Sequence, residues 1–204
     1  IQDLIQKQKN PTIAPYAKTG EVHLRITAKA KDEKEAKKLC KPLVRELKAR
    51  FGKNIYTTEE KKTLEETVVE LLADQNLTLA TAESCTGGML AARIVNVPGA
   101  SRILKEGFVT YSDRAKRKRL LVKKGTLARE GAVSGKTAKE MAKGGCFASG
   151  ADVCISITGI AGPDGGSKEK PVGTVFMACC YQGEANIKEF HFSGSRSKIR
   201  ECTT

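Results

Sequence analysis

The sequence predicts a layered α/β/α domain with a mixed sheet, preceded by a small α+β unit. From residue 63 onward, segments with helical spacing alternate with short apolar segments, which is typical of α/β folds. Residues 153–157 are apolar at all but one position, as expected for a strand that is covered on both faces. Residues 172–181 and 185–192 form a predicted hairpin, which indicates that part of the sheet is antiparallel.

The small α+β unit is predicted to cover residues 1–57. Residues 1–20 are polar and predict an extended lead-in, and residues 22–28 alternate apolar and polar side chains as a half-buried strand does. Residues 32–51 have helical composition, although Pro42 must kink this helix or begin a second one. Residues 54–57 are compatible with a short second strand.

The larger domain is predicted to cover residues 58–204. It begins with a helix, because Thr63 and Glu66 have the spacing of a capping box and apolar residues follow at helical intervals. The other predicted elements are a strand at 77–83, a helix after Gly88, a strand at 108–111, helices at 114–122 and 134–148, and the three strands named above.

The charge of the chain favours an anionic partner. Its 204 residues include 36 basic and 23 acidic side chains, for a formal charge of +13, which suits a phosphate ester, a nucleotide or a nucleic acid. Only residues 114–124 are densely basic, and Tyr111 is the one aromatic residue beside them. Proteins that bind single-stranded nucleic acids usually interleave several aromatic residues with the cations, so nucleic acid is not the expected partner.

Cysteine and histidine usage limits the compartment and the chemistry. The seven cysteines form no CxxC pair and are odd in number, which argues against a disulfide framework and predicts a reducing, cytoplasmic location. No run approaches the roughly 18 apolar residues of a membrane helix, so no membrane partner is expected. His23 and His191 are the only histidines, which leaves little material for a histidine-based metal site or a Ser-His-Asp triad. An initial isoleucine suggests that the chain was cut from something longer.

The segment Thr-Ala-Glu-Ser-Cys-Thr-Gly-Gly at 81–88 is the most informative feature of the chain. It places Ser84 between a predicted strand and a predicted helix, and the paired glycines let the backbone pass close to a ligand. Free N–H groups at the start of that helix suit either a phosphate cradle or an oxyanion hole beside a nucleophile. The alternative is that Ser84 is a plain N-cap.

Two further segments place polar residues and glycines where predicted strands end, at 107–116 and 158–174. Ligands of open α/β sheets bind at the carboxyl ends of strands, so these segments and 81–88 are expected to converge. The segment 158–174 contains five glycines but matches neither the Walker pattern nor the dinucleotide fingerprint. A surface Ω-loop is the alternative for it.

These segments together resemble a known family. The blocks at 81–88, 97–101, 107–116, 131–134 and 158–174 are similar to the C-terminal domain of the CinA (competence/damage-inducible) family, the nicotinamide-nucleotide amidohydrolases also called PncC. The segment at 10–18 and the unit up to residue 56 resemble the KH-type connector of the long CinA proteins. Those proteins carry a further N-terminal domain, similar to molybdopterin-binding folds, which is absent from this sequence.

The resemblance implies hydrolysis of nicotinamide mononucleotide to nicotinate mononucleotide and ammonia. It assigns the serine nucleophile to Ser84 and the lysine base to Lys116, which must be neutral to act as a base. The expected oxyanion donors are backbone N–H groups of Cys85, Thr86 and Gly87. Tyr111 is expected to face the pyridinium ring of the substrate or to form a hydrogen bond within the site, and core packing is the alternative for it. The residues expected to contact the ribose and the phosphate are Thr158, Gly159 and Gly162, with Ser101, Arg102 or Lys170.

The resemblance also sets expectations about partners. No cofactor and no metal are expected, and the protein is expected to be a homo-oligomer, as a dimer. A KH domain clamps a nucleic-acid backbone with a Gly-x-x-Gly loop, and residues 20–60 contain none, which again makes nucleic acid an unexpected partner. The alternative function is a regulatory module that binds the nucleotide without turning it over.

Two features depart from the family pattern. Gly144 and Gly145 lie where a helix is expected to continue, and each is expected to cost about 1 kcal/mol relative to alanine. A further C-terminal helix is also expected after residue 204, and its loss would expose apolar sheet surface.

Overall fold

A computed structural model describes all residues from 1 to 204 and divides them into two compact units, Ile1–Lys61 and Lys62–Thr204. The sequence predicted a boundary after residue 57. None of the helices is long and apolar enough to cross a membrane.

The first unit contains two strands and two helices. Its elements are α1 (Gln2–Lys7), β1 (Thr12–Lys18), β2 (Glu21–Thr27) and α2 (Glu33–Phe51), followed by a 3-10 turn (Gly52–Asn54). β1 and β2 form an antiparallel hairpin. Residues 1–20 were predicted to be an extended lead-in, but they form α1 and β1, because β1 completes the hydrogen bonds of β2. The predicted strand at 54–57 is wrong, since no other strand lies there to pair with it.

α2 is a single helix that contains Pro42. Asp32 caps it, because its side chain accepts a hydrogen bond from the N–H of Glu35 at 2.8 Å. Proline removes one hydrogen bond of the helix, but the remaining turns of this 19-residue element keep theirs, so no second helix begins there.

The second unit is built on a five-stranded mixed sheet. Its strands are β3 (Leu79–Glu83), β4 (Leu104–Val109), β5 (Val153–Gly159), β6 (Thr174–Tyr181) and β7 (Glu184–His191), in the spatial order β4-β3-β5-β6-β7. β3 is parallel to both β4 and β5, whereas β5, β6 and β7 are antiparallel. The predicted mixed sheet is therefore confirmed.

Helices cover both faces of the sheet, as predicted. They are α3 (Leu64–Asp74), α4 (Met89–Val95), α5 (Asp113–Leu120), α6 (Lys124–Glu130), α7 (Gly135–Ser149) and α8 (Arg196–Cys202). Two of them, α6 and α8, were not predicted, since both are only seven residues long and rich in charge. β4 begins earlier than the predicted strand at 108–111, because it pairs along all of β3.

β3 is buried along its whole length and separates two parts of the core. Ala80 and Ala82 pack with Met141 of α7 on one face. Leu79 packs with Val69 of α3 on the other face, where α4 also lies. Since side chains alternate along a strand, Glu83 points to the same face as Leu79. This alternation places a carboxylate beside α4.

α7 continues through the two glycines that the sequence predicted to be a weakness. A Cβ atom at Gly144 would lie 1.8 Å from the carbonyl oxygen of Leu120, and one at Gly145 would lie 2.3 Å from Sγ of Cys154. Glycine is therefore required here, because α7 touches the backbone of α5 and the side chains of β5. Alanine at these positions would improve helix propensity but would not fit.

Candidate active site

The turn between β3 and α4 presents Ser84 at the carboxyl end of the sheet. The N–H of Ser84 donates to the carbonyl oxygen of Ile157 at 3.0 Å, which ties the residue to β5. Gly87 and Gly88 have φ values of +63° and +98°, a conformation that favours glycine. The N-cap of α4 is Gly88. Ser84 is therefore not the N-cap of this helix, and its hydroxyl is held by other contacts.

The hydroxyl of Ser84 lies within hydrogen-bond distance of the ammonium of Lys116. Nζ of Lys116 lies 2.9 Å from Oγ of Ser84, and it also donates to the carbonyl oxygens of Thr110 at 2.9 Å and Tyr111 at 3.2 Å. Lys116 is 1% exposed and Ser84 is 8% exposed. Ser112 fixes the helix that carries the lysine, because its hydroxyl accepts from the N–H of Ala115 at 3.1 Å.

Burial is the largest influence on the pKa of Lys116. Burial lowers the pKa of the Lys116 ammonium below its ordinary value of 10.5, because the charged form loses solvation. The charges of Asp113 and Cys85 oppose this effect but do not reverse it. The contacts of the ammonium are a hydroxyl and two carbonyl oxygens, with no carboxylate in hydrogen-bond range. The pKa of Lys116 therefore lies below that of an exposed lysine.

Glu83, which the sequence analysis missed, connects the end of β3 to the start of α4 through its side chain. The side chain is completely buried. Its Oε2 accepts from the N–H groups of Gly88 and Leu90 at 3.0 Å each, and its Oε1 accepts from that of Ala91 at 2.9 Å. Helix N-termini leave such N–H groups without partners and attract negative charge. An acidic residue at the end of an apolar strand, one turn before a helix, was the available sequence signal.

The expected oxyanion donors differ in their availability. The N–H of Gly87 donates to the carbonyl oxygen of Ser84 at 3.1 Å, so the prediction that Gly87 is a free donor is wrong. The tight turn itself requires this bond. No protein acceptor lies within hydrogen-bond range of the N–H groups of Cys85 and Thr86. Burial raises the pKa of the Cys85 thiol, which makes Cys85 a poor nucleophile.

Two arginines of α8 join the loops of this region, and the sequence analysis missed both. Nε and Nη2 of Arg200 donate to the carbonyl oxygens of Cys85 and Thr86, each at 3.0 Å. One turn earlier, Nη1 of Arg196 donates to the carbonyl oxygen of Gly162 at 2.6 Å, and Nη2 donates to the hydroxyl of Tyr111 at 3.0 Å. Helix α8 therefore contacts all three predicted segments, 81–88, 107–116 and 158–174, and links them to one another.

Tyr111 does not belong to the core. Its side chain is 62% exposed, so the core-packing alternative is wrong. The hydroxyl accepts from Arg196 and the backbone carbonyl accepts from Lys116, and the ring is open to solvent.

The other predicted residues of the segment 158–174 have structural contacts. Oγ1 of the buried Thr158 donates to the carbonyl oxygen of Ala132 at 2.8 Å. A Cβ atom at Gly159 would lie 2.7 Å from Val175, so this glycine permits the close approach of β5 and β6. Gly162 has φ +75° and offers its carbonyl oxygen to Arg196.

Lys170 folds back onto the main chain. Its Nζ donates to the carbonyl oxygens of Glu130 and Val133 at 2.8 Å and 2.7 Å. These bonds anchor the loop 158–174 beside the connection between α6 and α7. The predicted role of Lys170 as a phosphate contact is not supported, because its ammonium already has two acceptors.

Ser101 and Arg102 lie at the wrong edge of the sheet for a role beside Ser84. They belong to a 3-10 turn (Ala100–Arg102) that precedes β4, and the next residue, Ile103, accepts from the N–H of Leu79 at 2.7 Å. Leu79 begins β3, whereas Ser84 follows its end, about 16 Å away at the rise of a strand. Within one chain these two residues do not reach the serine, so their predicted placement is wrong.

No group of three or more His, Cys, Asp or Glu side chains is arranged to hold a metal ion.

Family models match both parts of the chain. The CinA C-terminal domain matches residues 61–204, and the damage-inducible protein CinA KH domain matches residues 1–57. A Clostridium novyi (strain NT) protein, whose name assigns it to the competence-damage inducible proteins, is 53% identical over 203 residues, which are 100% of this chain and 49% of that protein. A CinA-like protein of Kosmotoga olearia is 50% identical over 200 residues, 98% of this chain and 48% of that protein. The chain thus spans about half the length of the curated relatives it matches.

Solved structures show the same fold. The crystal structure of the competence/damage inducible protein CihA from Agrobacterium tumefaciens is 41% identical with a TM-score of 0.66, and it covers 67% of this chain and 84% of its own. A competence-damaged protein (CinA) superfamily protein from Escherichia coli is 37% identical with a TM-score of 0.67, over 75% of this chain and 91% of its own. Both the family models and these relatives agree that the chain belongs to the CinA family, with a KH domain followed by the C-terminal domain.

Proposed function

We propose that the C-terminal domain is an amidohydrolase that converts nicotinamide mononucleotide to nicotinate mononucleotide and ammonia. The observation that carries this proposal is the 2.9 Å contact between Nζ of the buried Lys116 and Oγ of Ser84. A serine needs a base within hydrogen-bond distance to become a nucleophile, and a lysine can be that base only when its pKa is lowered.

The first half of the reaction forms an ester to Ser84. Neutral Lys116 takes the proton of the Ser84 hydroxyl while Oγ attacks the carboxamide carbon. The carbonyl oxygen of the substrate becomes an oxyanion, which the N–H groups of Cys85 and Thr86 stabilise, each donor by about 3 kcal/mol. The C–N bond then breaks, and the proton on Lys116 passes to the leaving nitrogen, so that ammonia departs.

The second half releases the acid. A water molecule gives a proton to Lys116 while its oxygen attacks the ester carbon, and the bond to Oγ of Ser84 breaks. The proton returns to Oγ, and nicotinate mononucleotide leaves. Ser84 and Lys116 are then in their initial state.

The charges near Ser84 support a nucleotide as the substrate. Arg196 and Arg200 lie beside the serine turn, where their positive charges attract an anionic substrate even though both guanidinium groups already donate to protein oxygens. The exposed ring of Tyr111 is available to the pyridinium ring of the substrate, since aromatic faces attract cations. The resemblance to the nicotinamide-nucleotide amidohydrolases agrees with both points.

The test is the release of ammonia and nicotinate mononucleotide from nicotinamide mononucleotide, with and without a chelator. Turnover that resists the chelator and is lost in Ser84→Ala supports the proposal. Ser101→Ala is the matched control, because Ser101 lies at the opposite edge of the sheet and should not affect the rate. Undiminished ammonia release by Ser84→Ala would exclude Ser84 as the nucleophile.

Calorimetry separates this proposal from the regulatory alternative. Tight binding of nicotinamide mononucleotide by the unmodified chain, with no ammonia formed, would favour a module that binds the nucleotide without turnover.

A further inference from the structure

The two faces of α5 have different surroundings. Lys116 and Leu120 are buried and lie one turn apart, with Lys116 facing Ser84. Arg114, Arg117 and Lys118 are exposed. At 100° per residue, Arg114 and Lys118 point about 160° away from the direction of Lys116, and Arg117 points about 100° away from it. Whatever the exposed cations bind is therefore separated from Ser84 by the body of the helix.

The exposed face of α5 lines a surface cavity of about 570 Å³. Four of its lining residues are cations, Arg114, Arg117, Lys118 and Lys124, and the other two are Leu121 and Val122. No carboxylate and no aromatic ring belongs to the lining. The cavity is thus a shallow, open depression lined by charges of one sign, formed by α5 and the start of α6.

None of the four cations has an acidic partner. Ion pairs occur on other helices, where Lys37 pairs with Glu33 and Arg93 pairs with Glu65, but none involves a cation of this cavity. Glu140 reaches the same connection, but its oxygens accept from the N–H of Lys123 at 2.8 Å and from the hydroxyl of Thr126 at 2.7 Å. The cations of the cavity are therefore not paired with carboxylates, and their like charges repel one another.

We infer that this cavity binds an oligophosphate chain, either free or as the phosphate end of a nucleoside di- or triphosphate. Guanidinium groups match phosphate oxygens with two parallel hydrogen bonds, and ammonium groups add point charges. The cavity is much larger than the roughly 30 Å³ that one water occupies in the liquid, so it has room for several phosphate groups. Without an aromatic ring it offers no stacking to a nucleobase, so recognition is of the phosphates alone.

This site is distinct from the one proposed for nicotinamide mononucleotide. It lies on the other face of α5, and it does not depend on turnover at Ser84. Its test is therefore a binding measurement, which succeeds or fails independently of the amidohydrolase proposal.

The experiment titrates tripolyphosphate into the 204-residue chain by calorimetry. It compares the unmodified chain with the double variant Arg117→Gln/Lys118→Gln and with a charge-matched double variant, Lys136→Gln/Lys188→Gln, whose two side chains are exposed outside the cavity. Since all four side chains are exposed, both variants should fold, and thermal unfolding checks this.

The expected result is a dissociation constant raised roughly tenfold or more by the cavity variant, because it removes two of the four cations and their charge-assisted hydrogen bonds to the phosphates. The matched variant should change it by less than about twofold, since exposed charges outside the site contribute little. ATP should bind as tripolyphosphate does. Equal losses in both variants would show attraction to net charge only, and an unchanged constant in the cavity variant would place the anion elsewhere, such as at Arg196 and Arg200. Either outcome overturns the inference.

Discussion

Nζ of Lys116 lies 2.9 Å from Oγ of Ser84, although the two residues are 32 positions apart in the chain. Ser84 directly follows β3, and Lys116 lies in the helix that follows β4, the neighbouring parallel strand. The carboxyl ends of parallel strands meet at one edge of a sheet, and that edge is where ligands of α/β folds bind. The sheet therefore brings together a serine from a turn and a lysine from a helix, the proposed nucleophile and base.

The lowered pKa of Lys116 predicts how activity depends on pH. Only neutral Lys116 accepts the proton of Ser84, and the neutral fraction increases as pH rises toward the pKa. Below that pKa the rate should rise about tenfold per pH unit, and it should level off below pH 10.5, the ordinary value for lysine. The measurement is kcat for ammonia release from about pH 6 to about pH 10.

Lys116→Met is the control for this profile. It should be inactive at every pH, because methionine fills the space of lysine but accepts no proton. A rate that does not change with pH in the unmodified chain, or turnover by Lys116→Met, would contradict the role of Lys116 as the base.

The sequence predicted those features that depend on local patterns. The strand at residues 77–83, the turn at Ser84 and the helix after Gly88 follow from an apolar run, paired glycines and helical spacing. The mixed sheet follows from the predicted hairpin near the C-terminus. Ser84 and Lys116 were named together through the family resemblance, because no local pattern brings a serine to a lysine 32 residues away.

Features that depend on long-range packing were not predicted. Arg200 contacts carbonyl groups 115 and 114 residues away, which no local pattern reveals. Ser101 was placed near Ser84 because both lie in or beside segments that resemble the CinA family, but that resemblance does not tell which edge of a sheet a loop occupies. Gly144 was interpreted through helix propensity, whereas the backbone of Leu120 requires a glycine there.

The buried carboxylate of Glu83 should be essential for the stability of the serine turn. Glu83→Ala leaves three N–H groups of α4 without their acceptor, and unsatisfied buried donors cost about 1–3 kcal/mol each. We expect the free energy of unfolding to fall by about 3 kcal/mol or more. Glu83→Gln should lose less, because its amide oxygen can still accept.

Urea denaturation measures both effects. Glu66→Ala is the matched control, since Glu66 also accepts an N–H at a helix N-terminus, from Thr63, but is only partly buried. Its loss should be only about 1 kcal/mol. If Glu83→Ala were no more destabilising than Glu66→Ala, the buried contacts of Glu83 would not be what holds the turn.

Arg196 and Arg102 should differ in their effect on turnover. Arg196 lies between Tyr111 and Gly162 beside the serine, whereas Arg102 lies at the opposite edge of the sheet. Arg196→Gln should lower kcat/KM roughly 10- to 100-fold, because it removes charge-assisted hydrogen bonds of about 1.5–3 kcal/mol. Arg102→Gln should leave kcat/KM within about twofold, as for surface substitutions elsewhere.

Steady-state kinetics with nicotinamide mononucleotide measures this difference. A large loss of kcat/KM in Arg102→Gln would contradict an active site built from one chain alone. Arg102 could then reach Ser84 only from a second copy of the chain.

Gly144 of α7 should tolerate no side chain, although alanine is the better helix former. A Cβ atom there would lie 1.8 Å from the carbonyl oxygen of Leu120, the last residue of α5, so α5 and α7 must move apart. Because the clash is with backbone, the cost of overpacking should reach the upper end of its usual range, about 3 kcal/mol, which exceeds the gain of about 1 kcal/mol in helix propensity. Gly144→Ala should therefore lower the melting temperature and, because α5 carries Lys116, also reduce ammonia release. Lys143→Ala, at the preceding position of the same helix, should change neither by much. A melting temperature raised by Gly144→Ala would show that propensity outweighs packing at this contact, and that the close approach of α5 and α7 does not hold Lys116 in place.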